Sequence, residues 1–234
     1  LQWRSNTTSL GYNDLPRLAL ALLLKHAGPS EKLVIKPINS VNNIVSDLVN
    51  LARPARSLLL YTGARNFLLS TLRKGEQAKH TVRAMFDLIR CDFPNLANLR
   101  LTDAIHMTDM KLIMTLWRLH IEQADRELQN HVPTGLMASL YGEHLVKDPL
   151  RALHAANNFL ELDIPGQQIE TIAAGDSRFR DAKNAGQQFS PESRQEAYKK
   201  VEAFYGADID NGLNWMARNN PGTQLHPTLP GSLL

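Results

Sequence analysis

Two short apolar runs, each followed by a helical pattern, constrain the fold of this chain more than any other feature. The runs "KLVIK" at 32–36 and "SLLLY" at 57–61 are rich in branched apolar residues, which is typical of buried strands. Apolar residues at helical spacing over 40–53 predict a helix between them, and Pro54 ends it. Strand, helix, strand and helix in this order predict parallel strands joined by a right-handed crossover.

The remaining patterns predict a helix-rich α/β protein with a parallel sheet flanked by helices. "GLMASLY" at 135–141 reads as a third strand. Helical spacing predicts helices over 14–26, 65–75, 77–91, from 102 or 108 to 130, 148–162, 190–205 and 208–219. We therefore expect one domain, 1–234, with a helical lead-in at 1–29, a helical insert at 77–130, a long polar loop at 163–189 and an extended tail at 220–234.

Composition and charge narrow the classes of partner. Of the 234 residues, 43% are hydrophobic and 21% charged, which is ordinary for a soluble globular protein. The 26 cations are spread among 23 acids, whereas a nucleic-acid interface concentrates basic residues in a patch. No run reaches the roughly 18–20 consecutive apolar residues that a membrane helix needs. We therefore expect no nucleic acid and no membrane span, and a small anionic ligand fits the net charge of +3 better than a polyanion.

The cysteine count bears on the compartment. Cys91 has no second cysteine with which to form an internal disulfide. Its place at the end of a helical pattern predicts a half-buried, inert thiol. Both observations fit a cytoplasmic protein in a reducing environment.

The turn after "SLLLY" is the first candidate for chemistry. Free backbone amides at the start of the following helix favour negative charge, and Arg65, Asn66 and Ser70 can add side-chain donors. Arg73 and Lys74 end the same helix, where they either bind an anion or interact with the helix C-terminal carbonyls. The sequence favours neither of these two interpretations.

Further candidates lie at other predicted strand ends and on the long loop. Lys36 follows a predicted strand and is costly to bury without an anionic partner. His144 lies just beyond another strand end, while His106 and His120 read as core or surface residues. The sequence contains no Walker motif, so it does not predict a triphosphate-binding P-loop. It also contains no paired Cys/His ligand set, so it does not predict a zinc site.

The order of these motifs resembles that of the sulfotransferases that use 3′-phosphoadenosine-5′-phosphosulfate, in particular bacterial sulfotransferase-like proteins of unassigned substrate. The likeness covers roughly residues 30–220. It is carried by "LVIKP" at 33–37, "ARSLLLYTGARNFLLSTLRKG" at 55–75, "YGEHLVKDPLRALHAANNFLEL" at 141–162 and "FRDAKNAGQQFS" at 179–190. The resemblance implies a P-loop NTPase-like architecture and transfer of a sulfuryl group to the hydroxyl or amine of a small-molecule or carrier-bound acceptor.

The resemblance also implies roles for individual residues. Lys36 corresponds to the lysine beside the transferred sulfuryl group, and His144 is the candidate general base. The cofactor-binding residues would be Arg65, Asn66, Ser70, Arg73, Lys74, Lys183 and Asn184.

Two departures from the family pattern favour other functions. Thr62 stands where the family has its first phosphate-binding arginine. The family's N-terminal strand and phosphate loop are expected before Lys36. "RSNTTSL" at 4–10 looks like that loop, but it lies close to Lys36 and no strand precedes it, which favours a missing preceding segment over this stretch as the loop. One alternative is a non-catalytic binding or assembly protein of the same fold, and another is a P-loop kinase-like enzyme. The sequence also allows a homo-oligomer, in which the partner is a second copy of the chain.

Overall fold

The sheet is small and parallel. A computed structural model describes residues 14–25, 28, 31–51, 55–93, 96, 107–175 and 190–234. Within them, β1 (Ser57–Tyr61) pairs in parallel with β2 (Met137–Tyr141), with Ser57 opposite Met137 and Tyr61 opposite Tyr141. The expectation of a helix-rich α/β protein with parallel strands is confirmed at this level.

Helices make up most of the described chain. They are α1 (Asp14–Leu24), α2 (Val45–Leu51), α3 (Ala64–Leu72), α4 (Glu76–Ile89), α5 (Asp109–His131), α6 (Gly142–Lys147), α7 (Pro149–Leu160), α8 (Gly166–Ala174) and α9 (Pro191–Asn219), with 3₁₀ turns at Asn39–Ile44 and Arg90–Asp92. Local sequence accounts for several boundaries. The Asp148 carboxylate accepts a hydrogen bond from the Arg151 amide at 3.1 Å at the start of α7, and Ser190 and Ser193 form a capping box at the start of α9.

The predicted strand at 32–36 is wrong. These residues form no regular secondary structure and have no strand partner among the described residues, and Leu33, Val34 and Ile35 are exposed. The Lys32 ammonium instead bonds the Glu161 carbonyl and the Asp163 carboxylate beyond the end of α7. Because β propensity reflects packing on a half-buried surface, branched residues that are not covered do not form a strand.

Three further expectations need correction. The predicted loop 163–189 contains α8, which begins directly after Pro165. The two helices predicted over 190–219 form the one helix α9, since burial of Ile209 and Met216 keeps the chain helical beyond Gly206. Cys91 is exposed, because the 3₁₀ turn after α4 turns its side chain away from the core.

The core is built around α5. One cluster joins α5 to α3, α4 and α9, and it contains the fully buried Trp117 and Met114, which confirms the predicted apolar side of this helix. A second cluster joins α5 to the sheet through Ala124 and Leu128. Residues 220–234, which we call the C-terminal segment, also reach the sheet: the Ser139 amide donates to the Gly231 carbonyl at 2.9 Å.

Gly231 is required where the C-terminal segment meets β2. Its φ is +66°, and a Cβ at this position would lie 2.6 Å from Cγ2 of Val132. We predict that Gly231→Ala lowers the free energy of unfolding by about 2 kcal/mol, through both backbone strain and overpacking. Urea denaturation would measure it. Gly222→Ala, where a Cβ would have nothing within 4 Å, is the control, and equal stability of the two variants would contradict the prediction.

Candidate functional site

The carboxyl ends of β1 and β2 form one edge, and a helix follows each strand there. Thr62 and Gly63 connect β1 to α3, and α6 begins directly after Tyr141. The turn after β1 is bonded to α5, because Nε1 of Trp117 donates a hydrogen bond to the Thr62 carbonyl at 2.9 Å. Ligands of open parallel sheets bind at such an edge, so it is the candidate site of this chain.

Aromatic rings line the edge in a row. The Tyr61 and Tyr141 ring centroids are 5.4 Å apart, and the His144 ring packs edge-on against Tyr141 at 5.5 Å. Burial raises the pKa of the Tyr141 hydroxyl, and the charge of Glu143 raises it further. Tyr141 therefore remains a neutral hydroxyl at physiological pH.

The C-terminal segment crosses this edge. The Ala64 amide, the first of α3, donates to the Leu225 carbonyl at 2.9 Å. A Cβ on Gly63 would lie 3.0 Å from Nδ1 of His226 and 3.3 Å from both the Leu225 oxygen and the Tyr141 hydroxyl. The glycine thus permits the segment to approach the turn closely. A neutral carbonyl satisfies the amide that a phosphate would otherwise use.

Two arginines beside the edge form ion pairs that connect α9 to α3 and to α6. Arg65 bonds Glu202 at 2.9 Å and Asp210 at 2.9 Å. These contacts raise the pKa of Arg65, and the hydrogen bond to Asp210 contributes most. Arg194 bonds Glu143 at 2.6 Å. Both guanidinium groups therefore have carboxylate partners within the chain.

The structure places the predicted site residues in different regions. His144 in α6, and Arg65 and Asn66 in the first turn of α3, lie at or next to the edge. Ser70 lies further along α3, and Arg73 and Lys74 follow its far end, about 14 Å along the helix axis from its start. Arg73 and Lys74 therefore do not share one ligand site with the first turn.

The predicted site residue Lys36 does not lie at the edge. It is exposed in the irregular segment 31–38, whose Lys32 is bound near the end of α7. Arg56, directly before β1, bonds Glu161 in the same region, which is the opposite end of the strand from Gly63. Lys183 and Asn184 lie outside the described residues.

Sequence reasoning missed the residues that close the edge. Leu225 and His226 fall in a stretch predicted as an extended tail, and the single prolines at 221, 227 and 230 carry no signal for docking on a distant turn. The sequence predicts a strand that ends at Tyr141 and indicates no further role for this residue. Its contact with the turn follows from the strand register, which the sequence does not encode locally.

A buried polar stripe on α5 is the other cluster of titratable groups. Ser46 Oγ lies 2.6 Å from Nε2 of His131, and Glu127 lies 3.9 Å from the same nitrogen. In a nucleophile–base–carboxylate triad, the two partners occupy different ring nitrogens. The arrangement is therefore a structural contact between α2 and α5. Gln123 extends it, donating to Glu127 at 2.7 Å.

Comparison with known proteins gives no relative. No family model, no curated protein and no solved structure matches the chain. Across the described residues, no group of three or more His, Cys, Asp or Glu side chains is placed to hold a metal ion. None of the described helices combines the length and apolar character that crossing a membrane requires.

His120, in the same stripe, makes stability depend on pH. Burial lowers the pKa of its imidazole from the usual 6.5 to about 4, and neither ring nitrogen has a hydrogen-bond partner in the part of the chain that the structure describes. Between these values the unfolded chain binds the proton and the folded chain does not, so stability falls as the pH falls from 6.5 to 4. We predict that the free energy of unfolding falls by about 3 kcal/mol over this range because of His120, and that His120→Leu removes this part of the pH dependence.

Urea unfolding at a series of pH values would measure this dependence. The exposed His80, changed to Leu, is the matched control and should keep the wild-type dependence. Identical pH profiles for the wild type and the His120→Leu variant would contradict the assignment.

Proposed function

We propose that this chain is a non-catalytic binding and assembly protein built on an α/β framework that resembles the sulfotransferases. The observation that carries the proposal is the hydrogen bond from the Ala64 amide to the Leu225 carbonyl. In this bond the Leu225 carbonyl, a part of the chain itself, occupies the position at which a nucleotide phosphate would bind. A site closed in this way keeps the shape of the edge without offering it to a ligand.

The residues of the first turn of α3 do not fit a phosphate in this arrangement. A phosphate there would compete with the Leu225 oxygen for the Ala64 amide. It would also meet Glu202 and Asp210, whose carboxylates already bind Arg65. The negative charges of these two carboxylates oppose binding of a phosphate, and Thr62 supplies no guanidinium that would offset them.

The surface that suits assembly is α1. Leu15, Leu18 and Leu22 lie on one face at helical spacing and are exposed, as is Leu23. Ala19 and Ala21 are exposed as well, so apolar side chains surround most of the helix. A helix that is hydrophobic all round is normally buried. We therefore assign α1 as the contact surface, and a second copy of this chain as its partner.

The exposed leucine face of α1 suits an antiparallel pair. A two-fold axis near the helix centre would bring Leu18 and Leu22 of each copy against the same face of the other. The leucines would then pack across the axis, and the small side chain of Ala19 would let the helices approach closely.

Sedimentation of the full chain tests this proposal. We predict a dimer whose dissociation constant rises at least about tenfold in the Leu18→Glu, Leu22→Glu double variant, because the charges oppose burial of the helix. Leu88→Glu, at an exposed leucine of α4, is the matched control and should leave the dimer intact. A wild-type chain that sediments as a monomer, or a double variant that dimerises like the control, would contradict the proposal.

A second candidate function is sulfuryl transfer from 3′-phosphoadenosine-5′-phosphosulfate to an acceptor hydroxyl or amine. The row of Tyr61, Tyr141 and His144 at the carboxyl edge favours it, since an imidazole there is suitably placed for proton transfer. Asn66 and Ser70 of α3 would hold the nucleotide. This function requires the C-terminal segment to leave the edge first.

A further inference from the structure

A cavity of mixed polarity lies between α5 and the C-terminal segment, apart from the carboxyl edge. Its volume is about 540 Å³, within the range of roughly 300–1,000 Å³ that is usual for small-molecule sites. One wall is a face of α5 with Arg118, Ile121, Glu122 and Asp125. The other wall is made by residues 220–224 and 227–229, in which Pro221 and Pro227 restrict the backbone.

The charges that line the cavity sum to a negative value. Arg118 donates to Glu122 at 2.8 Å, so these two charges largely cancel. Asp125 accepts a hydrogen bond from the uncharged amide of Gln129 at 2.7 Å, and no cation among the described residues forms an ion pair with it. The chain as a whole carries a formal charge of +3, so the cavity differs in sign from the chain as a whole.

We propose that this cavity binds a small aliphatic amine. The carboxylates of Asp125 and Glu122 would accept hydrogen bonds from an ammonium group, as charge-assisted bonds are the stronger kind. Ile121 and Leu229 offer apolar contact for methylene groups of the ligand. Gln224 and Thr228 add neutral hydrogen-bonding groups for a second amine or a hydroxyl. This ligand chemistry matches both the charge and the mixed polarity of the walls.

The cavity shares the C-terminal segment with the edge. Leu229 lines the cavity, and its amide also donates to the Tyr61 hydroxyl at 3.4 Å. Leu225, which accepts from Ala64 at the edge, lies between the two stretches that form the cavity wall. An amine in the cavity would hold the segment in place, and it would therefore slow hydrogen exchange at the Ala64 amide.

Calorimetric titration of the full chain with spermidine tests this proposal. We expect binding that weakens as salt concentration rises and is at least about tenfold weaker in Asp125→Asn. The asparagine oxygen can still accept from Gln129, so the variant keeps the fold. Glu170→Gln, at an exposed carboxylate of α8 outside the cavity, is the matched control and should bind like the wild type.

Three results would overturn the proposal: no binding of spermidine by the wild type, equal affinity in Asp125→Asn, or equal weakening in the Glu170→Gln control. Hydrogen exchange at Ala64 provides the second readout, with slowing by spermidine expected in the wild type and lost in Asp125→Asn. Neither measurement depends on α1. The test therefore stands whether or not the chain dimerises.

Discussion

The rest of this structure depends on the burial of α5 from two sides. Trp117 and Met114 pack on α3, α4 and α9, while Leu128 packs on the sheet. Burying large apolar side chains contributes roughly 1.5–3 kcal/mol each, so this helix supplies much of the stability that a two-stranded sheet lacks. The same helix fixes the candidate site, because the indole of Trp117 bonds the Thr62 carbonyl in the turn after β1.

Closure of the carboxyl edge follows from this arrangement. The turn and the start of α3 are held rigidly, and the C-terminal segment supplies the hydrogen-bond acceptor that the first amide of α3 needs. Arg65 and Arg194 bind carboxylates on α9 and α6 instead of facing an open site. Electrostatics and geometry thus agree that the edge is completed by the chain itself, which is why a binding role is proposed ahead of a transfer reaction.

The sequence predicted the local elements better than their partners. The strand "SLLLY", the turn after it and the Asp148-Pro149 helix start are encoded by residues close together in the chain, and all three are present. The strand at 32–36 failed because its stability needs a covering layer, which no local pattern reports. The contacts of Leu225 and His226 with Gly63 join residues more than 160 positions apart, and a segment that docks through backbone carbonyls leaves no side-chain signature.

Titration of the full chain with 3′-phosphoadenosine-5′-phosphate measures most directly whether the edge is closed. Calorimetry on the wild type and on an Asn66→Ala, Ser70→Ala double variant compares the chain with one that lacks the two uncharged donors predicted to hold the nucleotide. The closed edge predicts no binding heat for either protein, because the Leu225 carbonyl and the carboxylates around Arg65 exclude the phosphate. Binding by the wild type that the double variant loses would contradict this account and would favour the sulfotransferase reaction.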